Sequence, residues 1–298
     1  MVDRGGAEGS TLFGPFIDNE FMRNALLAGV LVSMLCALVG TWVVLRGLSF
    51  VGDALAHGVL PGIAVAMLMG APTFAGAAVG ALVMMGGVNV VQKRTRLSAD
   101  TAVGLLFVGM LALGVIITSR SSSFSGDITR ILFGELLGVS RVQLAWTAVV
   151  VVLVAAATWL LRRPFQLLCI DDDLAETSGF RASRFNSLML ALIGVVVVSS
   201  FQTVGTLLVF GMLVAPAATA ALFTRRIGTM MLVAATIGSL STWIGLVISY
   251  EANLAAGATV VLTSVAIFIV GLVLRGGTHG FVSGHPSHGG HGHAGHGH

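Results

Sequence analysis

Ala256-Gly-Ala-Thr-Val-Val-Leu-Thr-Ser-Val-Ala-Ile-Phe-Ile-Val-Gly-Leu-Val-Leu274 holds no charged side chain over 19 positions. As a helix it would be about 28 Å long, close to the roughly 30 Å hydrocarbon core of a bilayer. Similar runs recur at 24–45, 50–70, 73–92, 101–119, 142–161, 185–201, 203–223 and 228–249. The pattern predicts an all-α, polytopic integral membrane protein of about eight or nine spanning helices. The count stays open because 50–70 contains polar residues and 185–223 is nearly continuous.

Composition supports the same class. Of 298 residues, 56% are hydrophobic and 10% charged, against about 25% charged in ordinary globular domains. A soluble fold so poor in charge could not cover its own surface. The net charge of +3 is too small to suggest a nucleic-acid partner. Thirty-nine glycines suit helices that approach closely through small residues, as at Gly76-x-x-x-Gly80. Cys36 and Cys169 have neither disulfide-framework nor metal-site spacing. The first 20 residues lack the basic region and short apolar core of a removable signal peptide.

Basic residues near the helix ends give an orientation. With the N-terminus outside, the cytoplasm receives 11 of the 16 Lys and Arg, from Arg46 through Arg162, Arg163, Arg225 and Arg226 to Arg275. On this reading 1–20 is a polar extracytoplasmic N-terminus, 21–275 the membrane domain and 276–298 a cytoplasmic, disordered Gly/His-rich tail.

Two connections are more than turns. Residues 120–141 belong outside and admit a short interfacial helix at 130–137. Residues 162–184 belong to the cytoplasm. There Asp173-Leu-Ala-Glu176 has the form of an N-cap followed by a carboxylate that reaches back, and Gly179 offers a left-handed stop. The expected element is a helix of one or two turns; a plain solvated loop is the alternative.

The only lysine, Lys93 in Val-Gln-Lys-Arg, is not in a P-loop, so the chain cannot hydrolyse ATP by that mechanism. No nucleophile and base stand out on neighbouring spans, and an enzyme is not expected. Ionisable residues inside a span are functional candidates by default. Asp53 and His57, in Val51-Gly-Asp-Ala-Leu-Ala-His-Gly-Val-Leu-Pro-Gly62, lie four apart and share a helix face. Together they form half a site for a divalent first-row metal, or else an Asp that caps the helix and pairs with a buried His for stability. Pro61 cannot donate to the His57 carbonyl, which predicts a kink and a free oxygen. Pro216 would free the Met212 carbonyl in the same way, either along a path or as a packing kink. In the tail, His285, His288, His291, His293, His296 and His298 suit loose zinc, nickel or copper binding. Their interrupted spacing is unlike an affinity tag.

Three stretches carry a resemblance: 44–64 (Val-Leu-Arg-Gly-Leu-Ser-Phe-Val-Gly-Asp-Ala-Leu-Ala-His-Gly-Val-Leu-Pro-Gly-Ile-Ala), 132–140 (Leu-Phe-Gly-Glu-Leu-Leu-Gly-Val-Ser) and 202–220, which ends in Leu-Val-Ala-Pro-Ala-Ala-Thr-Ala. Over about residues 20–275 the chain resembles the membrane permeases of bacterial ABC importers for zinc and manganese, whose fold is related to that of cobalamin and siderophore importers. The resemblance implies a homodimer in the bacterial cytoplasmic membrane, a cytoplasmic dimer of ABC ATPase subunits that uses the ATP, and an extracytoplasmic metal-binding protein. It implies a transported zinc or manganese ion, or iron, and no permanently bound cofactor. It places Asp53 and His57 on the metal path, and Asp173, Glu176 and Gly179 in the coupling helix that docks the ATPase. It assigns the tail no role. A permease for a metal chelate and a proton-coupled secondary transporter are the competing readings.

Overall fold

The structure, a computed structural model, describes residue 16 and residues 19–95, 99–119 and 138–276. Among these there are eleven helices and no strand: α1 (Glu20–Leu45), α2 (Ser49–Gly58), α3 (Leu60–Leu68), α4 (Thr73–Arg94), α5 (Ala99–Thr118), α6 (Arg141–Leu160), α7 (Arg162–Ile170), α8 (Asp172–Thr177), α9 (Ala182–Phe223), α10 (Ile227–Ala252) and α11 (Ala256–Gly276). The expected interfacial helix at 130–137 and the histidine tail lie outside the described residues. Seven helical stretches are long and apolar enough to cross a membrane, and 101–117 and 208–223 add two shorter apolar helices. Together they occupy the nine segments read from the sequence.

The second segment is one span in two pieces. It runs from Ser49 to Leu68 and breaks at Val59, with Pro61 in the first turn of α3. The missing proline N–H is harmless there, because first-turn amides have no helical partner. Val59 itself keeps helical angles, φ −79° and ψ −18°, and the His57 carbonyl is not free: it accepts a backbone N–H at the end of α2. The chain closes the gap left by Pro61 with a local turn bond.

α2 and α3 run antiparallel to α4. A side chain on Gly62 would strike the Gly76 carbonyl, one on Gly76 the Gly62 carbonyl, and one on Gly80 would come within 2.9 Å of Val59 Cα. The small-residue pair noted in the sequence thus brings two backbones together.

At 42 residues, a straight α9 would measure about 63 Å, twice the hydrocarbon thickness. It does not stay straight. Gly205 has φ +77° and ψ 165°, a conformation outside the helical region and one that glycine adopts readily. Before the break, α9 runs against α4: Ser187 donates to the Asn89 side chain at 2.9 Å, and Val198 and Phe201 pack with Val59, Ile63, Ala77 and Ala81. After it, α9 follows α1. Cys36 donates to the Val209 carbonyl, and a side chain on Gly40 would meet the Leu213 carbonyl. The partners descend along α4 and then ascend along α1, so the chain reverses near Gly205.

Two ends of the bundle emerge. At one, Arg141 pairs with Glu20, joining the starts of α6 and α1. At the other, the end of α1 meets α7, and Arg275 donates to the Leu222 carbonyl at 2.6 Å. A cavity of about 330 Å³ lies at this second end, walled by Trp42, Trp159, Arg162 and Ile227. Several buried hydroxyls bond within their own helix, as where Ser33 donates to the Gly29 carbonyl at 2.6 Å, whereas those of Ser200 and Ser264 are buried without a hydrogen bond.

Candidate metal site and docking segment

Asp53 and His57 lie on consecutive turns of α2, with Asp53 Oδ1 3.5 Å from His57 Nε2. Both side chains are about a quarter exposed, at 26% and 28%. Two ligand atoms each about 2.1 Å from a metal lie about 3.4 Å apart at a tetrahedral angle and about 3.0 Å apart at a right angle. The observed spacing is close to the first and a small side-chain rotation from the second. Asp53 does not cap α2: the helix begins at Ser49, and its cap, Leu48, makes no side-chain bond. That removes the capping reading and leaves a carboxylate inside a span.

Neighbouring helices hold the pair in place. Phe107 of α5 meets the His57 ring edge-on at 5.9 Å between centroids and contacts Phe50, one turn before Asp53, at 5.7 Å. Leu213 and Phe210 of α9 approach Gly52 from the other side. No group of three or more His, Cys, Asp or Glu gathers among the described residues. One chain therefore offers two side-chain ligands here.

Pro61 borders an apolar cleft of about 400 Å³ between α3, α4 and α5. Pro216 is buried within the second arm of α9, one turn after the carbonyl that Gly40 accommodates.

The 162–184 segment contains two helices where the sequence suggested one. α7 opens with Arg162-Arg-Pro and buries Phe165 and Leu168, and Phe165 meets Trp42 edge-to-face at 5.5 Å. A proline in a first turn followed by apolar residues three apart was the available signal. α8 is the expected short helix, but its cap is Asp171, whose carboxylate accepts the Asp173 N–H at 3.0 Å. Asp173 itself lies in the first turn. In Asp171-Asp-Asp173 any of the three could cap, and the fully extended backbone at Asp171 decides. Gly179 follows with φ +86°. Its N–H bonds the Glu176 carbonyl and the Phe180 N–H bonds Ala175, closing the end of α8.

Arg46, noted in the sequence only as a marker of sidedness, donates to the Leu168 carbonyl at 2.8 Å and to Asp172 at 3.1 Å. Burial raises the Cys169 thiol above its ordinary range, with Arg46 pulling the other way. The thiol stays protonated and is a poor ligand.

Residues 18–275 match the ABC 3 transport family. The chain belongs to that family. The resemblance carried by 44–64, 132–140 and 202–220 is borne out, and the chain is a multi-span permease of the ABC transporter type. The manganese transport system membrane protein MntC of Listeria monocytogenes is 37% identical over 251 residues, 84% of this chain and 89% of that protein. The manganese import system permease protein ScaB of Streptococcus parasanguinis is 37% identical over 259 residues, 86% of this chain and 92% of its own. Among solved structures, PsaBC from Streptococcus pneumoniae in complex with Fab matches with a TM-score of 0.77 at 32% identity, covering 88% of this permease and 94% of that chain. An inward-facing metal-chelate type ABC transporter matches with a TM-score of 0.72 at 16% identity, covering 90% and 91%. The latter shows the fold alone.

Proposed function

We propose that this permease forms the membrane path of an ATP-driven importer for a bare divalent transition metal ion, manganese or zinc, in the bacterial cytoplasmic membrane. The observation that carries the reading is the Asp53–His57 pair, at ligand spacing, inside a span that breaks one turn later. Relatives named for manganese transport support it. A chelate importer would present its ligand ready-made and has no use for a carboxylate and an imidazole so placed.

Two ligands are too few for a transition metal, so we infer a homodimer in which α2 of each copy lies near the two-fold axis. Two carboxylates and two imidazoles then supply two oxygen and two nitrogen ligands, enough for zinc, or for manganese with added water. The ion is cargo, so the site must also release it. ATP is hydrolysed by a separate cytoplasmic ABC subunit docking on α8, and an extracytoplasmic binding protein delivers the ion at the Glu20–Arg141 end. The N-terminus is then outside and the C-terminus cytoplasmic.

The test is uptake of manganese and zinc into vesicles containing the assembled transporter, with and without ATP. Asp53→Asn removes charge at constant shape, and His57→Ala removes the nitrogen. Each should abolish most ATP-driven uptake while the dimer inserts and retains its ATPase. Double-variant protein, matched for assembly, that moved either ion at the unmodified rate would overturn the site. Chelate uptake without bare-ion uptake would overturn the cargo.

A further inference from the structure

We propose that Arg46 is the positioning residue through which the α7–α8 segment transmits ATPase-driven movement to the ion-binding helix α2. The proposal rests on the permease reading above and adds to it a physical connection between the docking segment and the metal pair.

Three observations carry it. The first is what Arg46 holds. α7 stops at Ile170, and Asp171 is extended, so the carbonyls of the last turn of α7 lack helical partners. Arg46 donates to one of them, Leu168, at 2.8 Å. The same Nη1 donates to Asp172 at 3.1 Å, in the first turn of α8. One guanidinium thus bridges the break between the two helices, acting as a cation at the end of α7 and a partner for a carboxylate at the start of α8, both favourable to the helix dipoles.

The second is what Arg46 is attached to. It caps α1, and the turn after it is closed by Gly47 N–H to the Val44 carbonyl at 3.2 Å and Leu48 N–H to the Val43 carbonyl at 2.9 Å. Gly47 has φ +67°, completing a Schellman turn. Leu48 is buried, and α2 begins at Ser49. From Arg46 to Asp53 there is no slack chain: a bonded turn leads directly into the helix that carries both metal ligands.

The third is burial. The Arg46 side chain is only 14% exposed, whereas Asp172 is 60% exposed. An exposed ion pair is worth little. The buried half of the contact, to the Leu168 carbonyl beside the Trp42–Phe165 pair, is the part that fixes position. A displacement of α8 by the ATPase therefore reaches α2 through a hydrogen-bonded, largely buried link.

The experiment uses the complete transporter in vesicles and reads metal ions moved per ATP hydrolysed. Arg46→Gln removes the charge and shortens the reach. The expected result is an assembled complex that still hydrolyses ATP, with the transport-to-hydrolysis ratio lowered about five- to tenfold, the scale of a typical coupling between sites. Arg46→Lys can reach one acceptor at a time and should recover part of the ratio, which a purely structural role in folding would not produce. Should Arg46→Gln fail to assemble, Arg46→Lys, which reaches one acceptor at a time, carries the test with a smaller fall in the ratio. An unchanged ratio in assembled Arg46→Gln, or in Arg46→Lys where that variant carries the test, overturns the proposal. Gly179→Val, run beside them, separates this failure from that of the underlying reading. If it weakens ATPase docking while Arg46→Gln stays coupled, only the Arg46 role is wrong. If the ATPase docks and couples normally in Gly179→Val and Arg46→Gln alike, α8 is not the docking helix and both fall.

Discussion

Trp42, in the last turn of the first span, and Phe165, in the first turn of α7, meet edge-to-face with ring centroids 5.5 Å apart. Both side chains are buried. This contact is one of those through which α7, which also buries Leu168, is seated on the bundle. Phe165→Ala should destabilise the permease by about 3–5 kcal/mol, the usual range for a fully buried phenylalanine. Thermal unfolding in detergent measures it; a loss below about 1 kcal/mol would mean that α7 is held elsewhere.

Gly179 separates backbone from side-chain effects. Nothing lies within 4 Å of where its side chain would be, so a substitution there acts through φ +86° alone. Gly179→Val should weaken ATPase copurification, and Gly179→Asn should retain much of it, since asparagine tolerates left-handed geometry and β-branched residues do not. Equal binding by both variants would exclude a role for the turn.

The reversal at Gly205 makes a prediction about folding rather than coupling. Its φ +77° and ψ 165° lie where a β-branched residue is strained by about 1–3 kcal/mol. Gly205→Val should lower both the yield of monodisperse permease and its thermal midpoint. A midpoint equal to that of the unmodified protein would show that the chain can turn without this conformation.

Removing residues 279–298 should reduce the number of weakly bound zinc ions counted by equilibrium dialysis. Most ATP-driven uptake should remain, because a Gly- and His-rich segment without apolar periodicity cannot line a spanning path. Complete loss of uptake in a correctly assembled truncation would give the tail an essential role.

The apolar segments were legible because the requirement that produces them is local: each span must be long enough and free of charge over its own length. The same holds for Gly179, whose place after a short capped run announces a stop, and for the i, i+4 spacing of Asp53 and His57. What escaped depends on distant partners. Arg46 looks like any basic residue at a helix end until Leu168 and Asp172 are brought to it across more than a hundred residues. α7 reads as a charged loop because the partners of Phe165, Trp42 among them, sit on other helices. The assignment of the α8 cap to Asp173 failed because three successive aspartates are locally equivalent, and Pro61 misled because the chain supplies another donor to the oxygen it abandons.

The contact between Gly62 and Gly76 bears on how such a permease can move. Two backbones touch here without intervening side chains, and Ala66 and Gly80 continue the close seam. So tight a seam favours α3 and α4 moving as one block. The segment below Val59 has no such seam: α2 faces the flexible thioether of Met84 and the ring of Phe107. On the proposed reading, alternating access would hinge α2, which carries Asp53 and His57, against the block of α3 and α4.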